Sequence, residues 1–335
     1  MTRGDDLVGL LGAPADDPRV VDALQSFAIR WPPQLQEPVN PDDPNYYVWR
    51  PSSANGFEFG FQDQAHLCGL DPSLRGKSPL VLSSVCFYGE HEGVRPFAGD
   101  FPFGVLLGDS RSTVRAKLSR IEVGPRIHIR DVWDTSKFRI VAEHDPRSGA
   151  LDSFLVKLPL LPWPPLDEDP APKLPTADEI VALFGQAWHS PDMRRVFFPL
   201  GLDACGPAIA TRHAADLRRT RGIELDFFAD PSRGEDNPIK DKGAAFSAVK
   251  LYRARHLDAR PWAGRLPCGL EYDLAYPEIA RRVGRPPDEH RDGRLAGYAL
   301  WHLPAFTLHV HVDNVDNVIF RLSLYRPGSW QGMTP

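Results

Sequence analysis

Cysteine is scarce in this sequence, with four residues among 335: Cys68, Cys86, Cys205 and Cys268. No two of them form a Cys-x-x-Cys pair, which leaves no sign of a disulfide framework. Scattered cysteines predict buried free thiols and a cytoplasmic protein. Long apolar runs are also missing, and the polar start of the chain has no apolar stretch behind it. We therefore expect neither a signal peptide nor a membrane span.

The common catalytic and nucleotide-binding motifs are absent. The chain has no Gly-x-Ser-x-Gly, no P-loop, no Gly-x-Gly-x-x-Gly before a helix and no His-Glu-x-x-His. Positive charge is also limited, because 39 Lys and Arg face 44 Asp and Glu, a formal net charge of −5. A protein of this balance does not bind nucleic acid by bulk electrostatics. We expect no catalytic residue, no cofactor, no nucleic acid and no obligatory small molecule.

What the sequence does contain is an internal repeat. The segment Arg95–Gly104, RPFAGDFPFG, returns 165 residues later as Arg260–Gly269, RPWAGRLPCG. Further matches follow in the same order at similar spacing, including Gly56 with Gly222 and Trp133 with Trp301. A repeat close to half the chain length is too long for a solenoid unit. It predicts a tandem duplication of one small domain.

The element pattern places this domain in the α+β class. Each copy is predicted to contain an opening helix, two strands, the repeated segment, a short helix and three strands in a mainly antiparallel sheet. The predicted domains are 1–159 and 176–335, and 160–175 is a proline-rich linker. Within the copies, 31–54 is predicted to be loop and 213–219 to be helical.

The strongest metal candidate is His309, His311 and Asp313, which would share one face of a strand. The alternative is an ordinary amphipathic strand whose other face is core, and this alternative is favoured, so no metal is predicted. Cys86 and Cys268 are candidate nucleophiles in name only, because nothing near them in sequence would activate a thiol. Buried structural thiols are the expected state of both.

Residues that differ between the copies are the better candidates for function, since shared residues serve the scaffold. An aromatic and acidic loop in the first copy has no counterpart in the second, and its composition is typical of interface hot spots. The second copy has a polar loop at 230–243. The predicted partner-binding residues are Asp42, Asp43, Tyr46, Tyr47, Trp49, Glu235 and Asp236. The alternative is that the rings cover the core of the first domain.

The second copy carries a family resemblance in its Gly-x-Leu-Pro-x-Gly segment and in Tyr276–Pro286, a helix that ends in Val-Gly-Arg-Pro. The first copy departs from it, with Leu118-Ser119-Arg120 in place of Val283-Gly284-Arg285. The pattern is similar to the modules of β-lactamase inhibitory protein. The whole chain resembles immunity proteins of bacterial polymorphic-toxin and type VI secretion systems. The resemblance implies a non-catalytic protein that binds and blocks a toxin domain.

The leading hypothesis is therefore an immunity protein that binds and inhibits a cognate toxin or another protein partner. One alternative is a hydrolase-type enzyme with a site between the two repeats, built from histidines and carboxylates brought together by folding. The other is a structural or scaffold protein that binds a member of its own pathway.

Overall fold

The computed structural model describes residues 3–35, 46–70, 72–89, 93–120, 124–161, 163–164, 172–229 and 244–330. The chain divides into two compact units, Met1–Pro165 and Leu166–Pro335. The division falls inside the segment 160–175 that was predicted to be a linker.

The first unit is built on a seven-stranded sheet in which every neighbouring pair is antiparallel. Its strand order is β1-β2-β3-β7-β6-β5-β4. The helices are α1 Gly4–Val8, α2 Pro18–Ser26, α3 Gln64–Cys68 and α4 Arg111–Leu118. The strands are β1 Tyr47–Ser52, β2 Phe57–Asp63, β3 Leu80–Tyr88, β4 Arg126–Ile127, β5 Asp131–Asp134, β6 Arg139–His144 and β7 Leu151–Lys157.

The second unit repeats this topology, with the order β8-β9-β10-β14-β13-β12-β11. The predicted fold class, α+β in two similar halves, is therefore confirmed. The helices are α5 Ala177–Val181, α6 Pro191–Phe197, α7 Gly206–Arg212, α8 Arg218–Arg221 and α9 Tyr276–Val283. The strands are β8 Ala214–Leu217, β9 Ile223–Ala229, β10 Ala244–Tyr252, β11 Glu289–Asp292, β12 Ala296–His302, β13 Thr307–Asp313 and β14 Val318–Tyr325.

The helices begin where local capping chemistry allows. Thr176 and Glu179 form a capping box at α5, each bonding to the other's backbone N–H. Asp17 and Ser190 cap α2 and α6, and each is followed by proline at the first helical position. In the part of the chain that the structure describes, no helix is long and apolar enough to cross a membrane.

One face of each sheet packs against the helices of its own unit to form a core. Strand alternation supplies the apolar side chains, so that every second residue of the central strands is buried there. The two repeated tryptophans lie in these cores, Trp133 at 1% exposure and Trp301 at 0%. The opposite face of each sheet does not contribute to this core.

The sequence predicted five strands in each copy, and the structure has seven. The predicted loop 31–54 contains β1, and the predicted helix 213–219 contains β8 followed by α8. These two strands lie at one edge of their sheets, and the short strands β4 and β11 lie at the other edge. Each is hydrogen-bonded to only one neighbour, so the apolar alternation that reveals a central strand is weak in them.

The repeated segment lies directly against a glycine in both units. Gly56 and Gly222 have φ values of +72° and +69°, and a Cβ at either position would lie 2.3 Å from a backbone atom of the segment. The contact is fixed by hydrogen bonds: the Tyr88 N–H donates to the Gly56 carbonyl, and the Phe97 N–H donates to the Tyr88 carbonyl. Tyr252 and Trp262 make the same bonds in the second unit. Only glycine fits at these two positions.

We expect Gly56→Ala to lower the free energy of unfolding of the first unit by about 2–4 kcal/mol, because it adds left-handed strain and a backbone overlap. Gly104→Ala is the matched control, since Gly104 has φ +71° but open space around its Cβ position. The control costs only the strain, about 1–2 kcal/mol. Urea denaturation of both variants measures the difference, and equal losses would contradict the close contact.

A candidate binding surface on the second sheet

The sheet face of the second unit that points away from the helices is rich in ionisable side chains. Leu225, Leu251 and Val310 belong to the core, so their neighbours along β9, β10 and β13 point to the other side. Register places these neighbours side by side across four adjacent strands. We call this surface the polar face, and it is formed by Glu224, Asp226, Lys250, Tyr252, His309, His311 and Arg321.

Lys250 lies at the centre of the charged part of the polar face. Its Nζ is 2.8 Å from Oε1 of Glu224 and 3.0 Å from Oδ2 of Asp226. The hydroxyl of Tyr252 donates to the other oxygen of Glu224 at 2.7 Å. Glu224 therefore accepts two hydrogen bonds, and both carboxylates share one ammonium group.

The two carboxylates respond differently to this arrangement. Burial opposes ionisation of Glu224, but the Lys250 charge and the bonds from Lys250 and Tyr252 outweigh it, so the pKa of Glu224 is lowered. At Asp226 burial dominates, the charge of Lys250 offsets it only in part, and the pKa is raised. Ionisation of Asp226 is thus less favourable in the folded protein than in water.

Arg218 borders the polar face on the side of β8. Its guanidinium binds Asp216 through two bonds, of 3.0 Å from Nε and 2.7 Å from Nη2. It also lies 3.8 Å from Glu224 and 5.8 Å from the ring centroid of Tyr252. The hydrogen bond with Asp216 is the main reason that its pKa is raised.

His311 is hydrogen-bonded to a cation. Its Nε2 lies 2.8 Å from Nη2 of Arg321, and because a guanidinium only donates, the imidazole must accept and be neutral. His311 is 8% exposed. Burial and the charge of Arg321 lower its pKa to about 2.

His309 is buried among aromatic rings, at 1% exposure. Its ring centroid lies 4.0 Å from that of His311, 4.6 Å from Trp330 and 5.1 Å from Tyr298. Within the described structure neither ring nitrogen has a hydrogen-bond partner. Burial, followed by the charge of Arg321, lowers its pKa to about 4.

The metal candidate of the sequence is not assembled. His309 and His311 lie together, but the carboxylate of Asp313 accepts the backbone N–H groups of Val315 and Asp316 in the following turn. The Arg321 cation lies against His311, where it would repel a metal ion. Across the described residues, no three His, Cys, Asp or Glu side chains are arranged to hold one.

The predicted aromatic residues of the first unit are divided between two environments. Tyr46 stacks on His66 with ring centroids 4.5 Å apart, and Tyr47 meets the same imidazole edge-on at 6.2 Å. Trp49 is 41% exposed and lies over Gly60 on the face of the first sheet away from the helices. Of the three rings, Trp49 is therefore the one best exposed for a partner.

The remaining predicted partner-binding residues fall outside the described parts of the chain. Asp42 and Asp43 lie in 36–45, and Glu235 and Asp236 lie in 230–243. Their assignment stays a prediction.

The thiols have the properties of structural residues. Cys86 is 8% exposed, and burial together with the Glu58 charge raises its pKa. Burial also raises the pKa values of Cys205 and Cys268. A thiol of raised pKa is a poor nucleophile at neutral pH.

The first sheet shows which parts of the polar face are new. Its register equates Glu58 and Tyr88 with Glu224 and Tyr252, and Tyr88 also bonds to Glu58. The Glu–Tyr pair is thus common to both units. The other equivalent positions hold Gly60 for Asp226, Cys86 for Lys250, Val141 for His309, Glu143 for His311 and Ser153 for Arg321. The first unit therefore has no counterpart of Asp226, Lys250 or Arg321 at these positions.

The sequence indicated the two histidines of this surface but not the cations. Lys250 and Arg321 come from strands that are 71 positions apart in the chain, and only strand pairing brings them together. A signal was present, because polar residues alternate with core residues in Glu224-Leu225-Asp226 and Arg321-Leu322-Ser323. Such alternation marks the second face of a strand.

We expect the two carboxylates to have opposite effects on stability. Because the pKa of Asp226 is raised, the folded protein favours the protonated carboxyl. The contribution of this group to stability is therefore full below the ordinary aspartate pKa and is lost as the pH rises. Asp226→Asn should therefore match or exceed the wild-type stability at pH 7. The lowered pKa of Glu224 stabilises above the ordinary glutamate pKa, so Glu224→Gln should lose about 1–3 kcal/mol at pH 7.

Urea denaturation at pH 7 and below about pH 4, the ordinary range of both carboxyls, measures this contrast. The loss in Glu224→Gln should disappear at the lower pH. Equal destabilisation by the two substitutions at pH 7 would show that Asp226 is ionised without cost.

Comparisons with known proteins give no relative for this arrangement: no family model, no curated protein and no solved structure matches the chain. The resemblance to immunity proteins therefore stays a prediction that depends on the residues of this chain.

Proposed function

We propose that this chain is a non-catalytic binding protein of the immunity type, which captures a cognate bacterial toxin in the cytoplasm and inhibits it. The observation that carries the proposal is the polar face, where Asp226, Lys250 and Arg321 occupy positions that hold the uncharged Gly60, Cys86 and Ser153 in the first unit. Asp226 and Lys250 are 27% and 21% exposed, so both reach solvent. Mixed charges of this kind orient a protein partner and speed its association.

The histidines of the polar face suit binding better than catalysis. A general base is normally oriented and made more basic by a carboxylate. His311 instead accepts a bond from Arg321, which makes the imidazole less basic. The raised pKa values of the Cys86, Cys205 and Cys268 thiols point the same way.

Trp49 offers a second contact on the face of the first sheet. Exposed tryptophans are enriched among the residues that contribute most to protein binding. The net charge of −5 suits a basic target, such as a nuclease domain. The four cysteines are unpaired, which suits the reducing cytoplasm.

The direct test is neutralisation of a toxin. Affinity purification from the native host is expected to recover one stoichiometric partner, and production of that partner alone should stop the growth of a heterologous bacterium. Co-production of this chain should restore growth, because an immunity protein blocks its target by occupancy. A partner that is harmless, or a toxin that is not neutralised, would contradict the proposal and favour the scaffold alternative.

With that partner in hand, Asp226→Ala should weaken binding about tenfold or more, chiefly through loss of an interfacial charge pair. Asp192→Ala is the matched control, since it removes an exposed carboxylate from α6 in the helical layer of the same unit. Titration calorimetry at low and high salt measures both variants. Equal affinities for the two would exclude the polar face as the contact surface.

A further inference from the structure

Arg321 is a half-buried cation that, in the described part of the chain, bonds to a histidine and to no carboxylate. Its Nη2 donates to the neutral imidazole of His311 at 2.8 Å, and its Nε is buried with no hydrogen-bond partner. Among the described residues no carboxylate lies within ion-pair distance of it. Burial of a charge is costly unless an opposite charge compensates it. A bound carboxylate would satisfy both the charge and the free donor groups of this guanidinium.

The nearby carboxylates are already engaged. Glu224 and Asp226 are both bound to Lys250, and Asp216 is bound to Arg218. Each of these acids therefore has a closer cation than Arg321. The charge of Arg321 reaches Asp226 only through space, where it partly opposes the rise in pKa that burial causes. Among the described residues no carboxylate bonds to the guanidinium directly.

Several aromatic rings lie at the end of the polar face that holds Arg321 and His311. The ring centroid of His256 lies 4.3 Å from that of Phe320 and 6.0 Å from that of Tyr252. The ring of Phe320 lies in turn 5.7 Å from His311. Phe320 precedes Arg321 at the β-bulge between β13 and β14, and such bulges redirect side chains. His311, which Arg321 contacts, is thus linked to Phe320, His256 and Tyr252 by a series of ring contacts.

The turn that presents His256 has an unusual backbone. Arg255, Leu257 and Asp258 have φ values of +76°, +49° and +61°. Left-handed backbone is uncommon for residues other than glycine and is a strained conformation for leucine. Strain of this kind is concentrated at binding and catalytic sites.

We propose that Arg321, beside His311, is the receptor for a carboxylate group of a ligand, such as the side chain of an acidic residue in a protein partner. A carboxylate accepts two parallel hydrogen bonds from a guanidinium and matches its planar geometry. The site goes beyond the proposed function, because it does not depend on the partner being a toxin.

The local charges favour a monoanion over a dianionic phosphate. Arg321 supplies one positive charge that no described carboxylate contacts directly, and His256 and His311 are neutral at pH 7 with pKa values lowered to about 4 and about 2. The carboxylates of Glu224 and Asp226 stand across Lys250 on the same face. A second negative charge on the ligand would be repelled by them and would gain no further cation.

The test uses free anions and the imidazole signals of the full chain. Sodium acetate, titrated at pH 7 and constant ionic strength, should cause saturable NMR shifts at His256 and His311. Arg321→Gln should weaken this binding about tenfold or more, the effect expected for losing a charge-assisted bond. Arg253→Gln should leave it unchanged, because Arg253 is already paired with the exposed Asp273.

Three results would overturn the proposal: no saturable shift, an equal acetate affinity in Arg321→Gln, or tighter binding of inorganic phosphate than of acetate. The last result would assign the site to phosphate. If Arg321→Gln does not fold, Arg321→Lys takes its place, since lysine keeps the charge but loses the planar fork. It should also bind acetate more weakly than the wild type. Because no toxin is used, failure here is distinguishable from failure of the immunity proposal.

Discussion

The fold of both units depends on one close approach between backbone segments. The chain that leaves the third strand of each sheet, β3 or β10, returns across a glycine, Gly56 or Gly222, at a distance that admits no side chain. This crossing buries the aromatic residue of the repeated segment, Phe97 or Trp262, in the core. The segment thereby helps to close the helical face of the sheet. The opposite face is not involved in this packing, and it is there that the two units have diverged.

The core and the repeat could be predicted from sequence because their signals are local. Glycine and proline at fixed spacing mark the crossing, and apolar residues alternate along the central strands. The edge strands lack such signals. Strand β1 contains Pro51 and the exposed Trp49, and β11 is exposed at all four positions. Proline and charged residues are what protect an edge from pairing with another chain. The features that make these strands stable edges also conceal them in the sequence.

The candidate site was only half visible, for a different reason. His309 and His311 are two residues apart on one strand, so sequence alone places them on one face. Their chemistry depends on Arg321, whose position is fixed by the pairing of β13 with β14. The same two histidines that suggest a metal site in isolation become neutral acceptors beside a cation. Strand register decides the function of such residues, and a single sequence does not state the register.

The two units show how one scaffold can carry different surfaces. In the first, the large ring of Trp49 on the edge strand covers Gly60, where a Cβ would lie 2.8 Å from that ring. In the second, the equivalent edge residue is Ala214, and it is paired with Asp226. Trp49 beside Gly60 in the first unit thus corresponds to Ala214 beside Asp226 in the second. The second unit therefore lacks the apolar ring contact and has instead a partly exposed carboxylate, whose ionisation is opposed by partial burial. Divergence at one pair of positions is therefore enough to change an apolar surface into a charged one on an unchanged sheet topology.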